Sequence, residues 1–278
     1  MQAKLLLIVL CAFTISNSEA QEGFNTFGKF RFQGAVSIPD SYITNPGQLT
    51  KDGKEILLSL LYDDLDTTFT ALYLKSLGNN GESSLKKLEI GIPEGYKEIL
   101  QSSISSNGST IVCTVNDYGG WITNDLAISF KNIDGTYTTP IVLDGINAAD
   151  QSDSYPWLSH DGLRLYYIKD SRIYYSERNG DKSLFQESEV LKFNGQVDLN
   201  VISVWLDKKE KKLWILSDGV LYTAKRKNRK QAFSLPEVFT SEFNSLNFVS
   251  SVSLNNSMKD IFLFYSGEET FMLHYTLK

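Results

Sequence analysis

Carboxylates and aromatic residues recur in the loops between short apolar segments of this sequence. The candidate ligand-binding residues are Asp63, Asp64, Asp66, Asp117, Tyr118, Trp121, Asp125 and Asp170. Carboxylates beside aromatic rings suit sugars and peptides. Clustered carboxylates also attract hard cations such as Ca²⁺, but none of these loops matches a calcium-loop template. We therefore predict an acidic loop face that binds a protein, peptide or glycan without a cofactor. A solvated acidic rim is the alternative, and an acidic funnel around a central channel is the sharper form of the binding hypothesis.

Catalysis has weaker support. Glycoside hydrolysis needs a carboxylate pair at a fixed separation. The segments predicted to line the channel are 48–50, 102–105, 156–159, 202–205 and 250–253, and they contain no acid. His160 and His274 are the only histidines, and no Gly-x-Ser-x-Gly motif occurs. We assign no catalytic residue and no metal site. A small secreted carbohydrate-active enzyme, a glycoside hydrolase or lyase, stays open because Tyr and Asp chemistry leaves no motif.

An internal repeat indicates how these loops are positioned. Equivalent apolar residues recur at intervals of 55, 54, 48 and 48 residues: Ile56, Ile111, Leu165, Leu213 and Ile261. Polar turns precede them, including Asp52-Gly53, Asn107-Gly108 and Asp161-Gly162, which are dipeptides typical of tight hairpins. The following strands are apolar on both faces, as expected when each is covered on both sides. Five copies of a four-stranded unit predict an all-β, five-bladed β-propeller.

The last copy contains only three predicted strands. An open blade would expose a strand edge, which invites aggregation. Segment 29–38 resembles segment 233–239, the fourth strand of copy four, so we expect the N-terminal strand to close the last blade. The predicted domain is 21–278, with blades near 39–92, 93–145, 146–193, 194–240, and 241–278 plus strand 29–38.

Part of the repeat carries a family resemblance. Segments 135–143, 146–147 and 155–167 resemble the WD-like β-propeller repeat of bacterial envelope proteins, which also occurs in the periplasmic propeller of the Tol system. Segments 116–121 and 125–129 are similar to the second loop and third strand of that family. The resemblance is strongest over residues 100–180. It implies a binding role toward a protein or glycan at the bacterial envelope.

The first residues predict the compartment. Lys4, the apolar run 5–13 and the small residues within Ser18–Ala20 form a secretory signal peptide (1–20), with cleavage before Gln21. The apolar run is shorter than the roughly 20 residues of a membrane span, and no second such run follows. We expect a secreted or periplasmic monomer with no membrane span.

Charge and cysteine content argue against nucleic-acid binding and exclude an intramolecular disulfide. The formal net charge of −6 argues against nucleic-acid binding, which requires a basic surface. The one basic run lies at 225–230, and we interpret it as a solvated hairpin, with a polyanion site as the alternative. After signal cleavage Cys113 is the only cysteine, so no intramolecular disulfide can form. Its apolar neighbours predict a buried core position.

Overall fold

The computed structural model describes residues 30–36, 43–64, 67–77, 84–117, 124–240, 249–255, 259–266 and 270–277. Within them lie twenty β-strands arranged in five four-stranded antiparallel sheets. The predicted five-bladed β-propeller is confirmed. The described residues contain no helix with the length and apolar character needed to cross a membrane.

Each blade orders its strands from the channel outward. Blade one contains β2 (Ile43–Leu49), β3 (Glu55–Asp64), β4 (Thr67–Ser76) and β5 (Leu85–Lys87). Blade two contains β6 (Glu98–Ile104), β7 (Thr110–Asn116), β8 (Asp125–Phe130) and β9 (Ile141–Val142). Blade three contains β10 (Asp153–Leu158), β11 (Arg164–Lys169), β12 (Arg172–Glu177) and β13 (Glu189–Val190). Blade four contains β14 (Val201–Leu206), β15 (Lys212–Ser217), β16 (Val220–Lys225) and β17 (Glu237–Thr240). Blade five contains β18 (Val249–Leu254), β19 (Asp260–Ser266), β20 (Thr270–Leu277) and β1 (Phe30–Val36).

The second strand of each blade is apolar on both faces because its two faces pack against different neighbours. In β7, Ile111 and Cys113 pack in a cluster with Leu57 of blade one. Val112, on the opposite face, packs with Leu165 of blade three. Cys113 is fully buried, as predicted. Stacking of blades therefore removes the polar–apolar alternation that a half-exposed sheet would show.

The innermost strands form a closed ring. Strands β2, β6, β10, β14 and β18 contact one another in that order, and β18 returns to β2. Serine side chains join neighbouring strands of the ring. For example, the backbone N–H of Leu158 in β10 donates to Ser103 Oγ in β6 at 2.9 Å. All five innermost strands also contain a bulge against their second strand. Bulges bend a strand and increase its twist.

In blades one to four, the turns between first and second strands share one backbone conformation. Their third residue is left-handed, with φ of 73° at Gly53, 67° at Gly108 and 73° at Gly162. In blade four the third residue of the turn is Glu210, which is also left-handed, with φ of 54°. The turn Lys208–Glu210, which departs from the Asp-Gly pattern in sequence, therefore keeps the geometry of blades one to three. Its glutamate is held in place by side-chain contacts rather than by the conformational freedom of glycine.

The N-terminal strand closes blade five, as expected. β1 runs antiparallel to β20, with Phe30 opposite Leu277 and Val36 opposite Met272. The ring of Phe32 packs 5.3 Å from that of Tyr275. The last blade is thus built from both ends of the described chain, which also covers the edge of β20.

Candidate functional site

A continuous cleft lies between blades three and four. It comprises two cavities of about 680 Å³ and about 500 Å³, which share Asp170, Ser171 and Val201. The larger cavity extends outward along the segment that follows β13. The smaller one reaches the mouth of the central channel at Tyr155. The β11–β12 turn forms the lip common to both cavities, on the face predicted to carry the acidic loops.

This lip is a strained and well-anchored turn. Asp170 and Ser171 both have left-handed backbones, with φ of 48° and 56°, which matches the two-residue hairpin turn that suits twisted strands. The hydroxyl of Ser171 donates to Asn200 Oδ1 at 2.7 Å, and the amide of Asn200 donates to Asp218 at 3.2 Å. The N–H of Val201 donates to the carbonyl of Ser171 at 3.2 Å. These bonds fix the lip of blade three to blade four.

The cleft combines an apolar floor with a charged rim. The floor includes the buried side chains of Ile173, Leu191, Val201 and Ile215. The exposed charged residues of the rim are Asp150, Asp170, Arg172 and Asp198. Three carboxylates against one guanidinium give the rim a negative balance, which favours cationic groups. An apolar floor with a few polar groups at its edge is typical of ligand sites.

Tyr155 separates the cleft from the channel. Its φ is 52°, and it lies in the β10 bulge between Ser154 and Trp157. The bulge also accommodates Pro156, which has no N–H to donate to a ladder. Burial raises the pKa of Tyr155, so its hydroxyl stays protonated at neutral pH. Strained backbones at the edge of a cleft often mark functional positions.

The central channel itself is narrow and neutral. Its cavity measures about 20 Å³, near the minimum that holds one water molecule. The described side chains that line it belong to glutamine, serine, valine, proline and tyrosine. No carboxylate belongs to this described lining. The described acids Asp150, Asp170 and Asp198 lie in the cleft, and the acidic funnel considered from the sequence stays a prediction.

The predicted site residues fall in different places. Asp170 lies on the cleft lip, whereas Asp117 and Asp125 belong to blade two and do not line the cleft. Asp125 is half-buried and accepts a hydrogen bond from the Tyr96 hydroxyl at 2.6 Å. Burial and this bond raise the pKa of Tyr96.

The other predicted residues cannot be placed as side chains. Asp63 and Asp64 are paired with β4 at the end of β3, and only their backbone positions are described. Asp66, Tyr118 and Trp121 lie outside the described residues. The predicted ligand-binding role of Trp121 accordingly stays a prediction.

Two acids on innermost strands depart from the sequence expectation. β6 begins at Glu98 and β10 at Asp153, so both strands start before the acid-free segments expected to line the channel. Asp153 is fully buried, accepts the N–H of Ala148 at 2.8 Å and pairs with Lys169 at 3.1 Å. Desolvation raises the pKa of Asp153, and these two contacts oppose the rise. Asp153 therefore holds the loop before β10 rather than facing solvent as part of an acidic rim.

Several residues of the cleft were not singled out from sequence. Tyr155, Asp198 and Asn200 contribute to it; Tyr155 begins the repeat segment 155–167 but was not assigned a binding role, and Asp198 and Asn200 lie in no recognisable motif. The repeat pattern indicates which loops share a face, but not which neighbouring loops leave a gap. In the described part of the chain, no group of three or more His, Cys, Asp or Glu side chains could hold a metal ion.

Comparisons with solved structures agree with a β-propeller. A candidate 6-phosphogluconolactonase from Bacteroides uniformis superposes with a TM-score of 0.53 at 13% identity, over 92% of this chain and 76% of that one. A puromycin hydrolase superposes with a TM-score of 0.50 at 9% identity, over 89% of this chain and 36% of that one. This chain thus spans about a third of the length of that hydrolase.

At these identities the likeness establishes the fold alone, since propellers host unrelated functions. No protein-family model matches the chain. No curated protein matches it either. The class that the fold and cleft define is a five-bladed β-propeller with a ligand-sized cleft between two blades.

Proposed function

We propose that this chain is a non-enzymatic binding propeller, which accepts an extended peptide segment of a partner protein in the cleft between blades three and four. The observation that carries the proposal is a continuous cleft with a mainly aliphatic floor and a negatively balanced rim. Aliphatic side chains of a peptide suit such a floor, and a lysine or arginine suits the rim. The rigid lip at Asp170–Ser171 lowers the cost of ordering the site on binding.

The predicted signal peptide and the repeat pattern of the sequence support a setting for this function. The signal peptide and the resemblance to the WD-like repeat support a secreted or periplasmic monomer that acts at the bacterial envelope. A partner there would present the bound segment to the loop face. Peptide is favoured over glycan because sugars stack best on exposed aromatic rings, and most apolar residues of the cleft are aliphatic.

Selection from a displayed heptapeptide library on the purified chain tests the proposal. We expect enriched peptides to combine aliphatic residues with lysine or arginine. Asp170→Asn combined with Asp198→Asn removes two rim charges, and asparagine tolerates the left-handed backbone of position 170. Exposed ion pairs contribute about 0.2–1 kcal/mol each, so anisotropy titrations should show affinity falling roughly twofold to thirtyfold.

Asp144→Asn is the matched control, because Asp144 is exposed in a loop and does not line the cleft. It should leave the affinity unchanged. Equal loss in both variants, or enrichment of peptides without basic residues, would overturn the peptide assignment. Turnover of lactones, aryl glycosides or peptides by the purified chain would replace it with the enzyme alternative.

A further inference from the structure

A second pair of cavities lies on the outer rim between blades three and four. They measure about 440 Å³ and about 110 Å³ and share Arg226, Gln231 and Ala232. One wall is the loop between β16 and β17, and the other is the segment that follows β13, where Lys192 and Asn194 lie. We name this pair the rim groove. It is separate from the acidic cleft, although Leu191 contributes to both.

The rim groove is strongly basic. Its charged lining residues are Lys192, Lys225, Arg226, Lys227, Arg229 and Lys230, and no carboxylate belongs to the described lining. This concentration stands out because the whole chain has a formal net charge of −6. Such a local excess of one sign attracts ligands of the opposite sign.

The carboxylates near the rim groove offset only part of its positive charge. Glu189 pairs with Lys192 at 3.3 Å, but both side chains are largely exposed, and exposed pairs are weak. Glu210 is almost fully buried and bonds closely to Arg164 and Tyr166, and it forms longer ion pairs with Arg226 at 3.8 Å and with Arg229 at 3.9 Å. The exposed lysines of the loop therefore leave the groove with a positive field.

The loop that carries these charges is preorganised by Arg226. Its side chain is only 5% exposed, and its guanidinium lies 4.3 Å over the Phe233 ring. Nε donates to the Glu210 carbonyl at 2.7 Å, and Nη2 donates to the Tyr166 hydroxyl at 2.9 Å. Nη1 reaches the Arg229 carbonyl at 3.3 Å. The interpretation of segment 225–230 as a merely solvated hairpin therefore misses a buried anchor.

Non-ionic groups narrow the class of ligand. Tyr175 is half-buried beside the groove, and Gln231 and Asn194 place amides along it. The apolar face of a pyranose ring packs on an aromatic ring, and amides bond to sugar hydroxyls. We propose that the rim groove binds an anionic polysaccharide whose sugars carry carboxylate or sulfate groups. This site goes beyond the proposed function and does not depend on it.

Calorimetric titration of the full chain with polygalacturonate oligomers and with heparin oligomers tests the inference. We expect at least one to bind, and the two probes distinguish carboxylate from sulfate as the recognised group. Affinity should fall as salt rises from about 50 mM to about 300 mM, because exposed charges are screened. Neutral dextran of similar length should not bind.

The test variant is Lys227→Gln combined with Lys230→Gln, since both side chains are exposed and their removal spares the Arg226 anchor. We expect an affinity loss of about tenfold, in line with two weakened charge contacts. Lys208→Gln combined with Lys209→Gln is the matched control, because these exposed lysines lie in the β14–β15 turn and not in the groove lining. It should leave the affinity unchanged.

The site would be overturned by no binding of either probe, by equal binding of dextran, or by equal loss in both double variants. Equal affinity for polyglutamate or single-stranded RNA would show charge attraction without sugar recognition and would also overturn it. Asp170→Asn combined with Asp198→Asn should retain glycan binding. That variant separates failure of this inference from failure of the peptide proposal.

Discussion

Lys51 shows how strongly the stacked blades perturb a single side chain. It lies in the β2–β3 turn and is only 4% exposed, with Nζ 4.1 Å from the centre of the Trp157 ring. Burial lowers the pKa of Lys51 to about 7, while the negative charge of Glu210 acts in the opposite direction. The indole face also favours the protonated amine. The folded chain therefore holds this proton less tightly than the unfolded chain does.

Stability should consequently depend on pH through Lys51. Between its folded pKa of about 7 and its ordinary value of 10.5, the unfolded state binds more protons, so the free energy of unfolding rises with pH. From about pH 7 to about pH 9 the contribution is roughly 2 kcal/mol. In urea denaturation, the free energy of unfolding of the wild type should show this rise with pH, and that of Lys51→Met should not. Lys54→Met, at an exposed position of the same turn, should keep it.

Parallel stability curves for wild type and Lys51→Met would contradict the prediction. They would mean that Lys51 titrates near its ordinary value in the folded chain, with its contacts offsetting its desolvation.

At the scale of elements, the β14–β15 turn has Glu210 at the position where the turns of blades one to three have glycine. A buried network of hydrogen bonds and ion pairs holds this glutamate in place. Arg164 donates to Glu210 through Nε at 2.9 and 2.8 Å and through Nη2 at 2.7 Å. The Tyr166 hydroxyl donates to the same carboxylate at 2.7 Å. These contacts join the turn of blade four to β11 of blade three. The equivalent residue of blade three is Gly162. A Cβ atom added there would lie 3.2 Å from Nη2 of Arg178 and 3.3 Å from Cβ of Ser105, so there is little room for a side chain at that position.

Replacing Glu210 tests which of the two effects dominates. Glu210→Gly relieves a left-handed backbone worth about 1 kcal/mol, but it removes the buried carboxylate from Arg164 and leaves only the half-exposed Asp161 as its partner; breaking such a buried pair costs about 3–5 kcal/mol. We expect Glu210→Gly and Glu210→Gln both to lower the free energy of unfolding, by roughly 2–4 kcal/mol for the glycine variant. Lys209→Gly, at the exposed neighbouring position, should change it by less than about 1 kcal/mol. A stabilised Glu210→Gly variant would show that the turn conformation outweighs the network.

At the scale of the whole molecule, the core is shared between blades. One cluster contains Trp157 of blade three, Trp214 of blade four and Leu263 of blade five. Another joins Leu58 of blade one to Phe264 of blade five. No blade buries its apolar faces alone, so the closed ring should unfold in a single cooperative transition.

Deleting residues 21–38 removes β1 and should give a protein that aggregates or unfolds without a single cooperative transition. The physical reason is the exposed edge of β20. A matched variant restores the strand at the other end: residues 29–38 follow Lys278 through a two-residue Asn-Gly link. Phe30 lies opposite Leu277 in the observed register, so a tight hairpin can make this connection. Calorimetry should show cooperative unfolding in the transplanted variant, and an unchanged melting temperature after simple deletion would refute closure.

The sequence alone determined the architecture because its signals are local and repeated. The apolar second strands and the turn at Asp161-Gly162 recur at a regular interval, and the unmatched segment 29–38 identified the closing strand. Each signal depends on the chemistry of a few adjacent residues, such as the left-handed backbone that glycine permits. The acidic loops were placed on one face by the same topology.

Only the tertiary structure decided which acids are available and where a cleft forms. Asp153 and Asp170 look alike in sequence, yet Asp153 is buried against Lys169 and Asp170 stands exposed on a cleft lip. Arg226 likewise belongs to a basic run but has its guanidinium buried on Phe233. Burial depends on how loops from neighbouring blades approach each other, and those contacts join residues far apart in the chain. No local pattern contains that information.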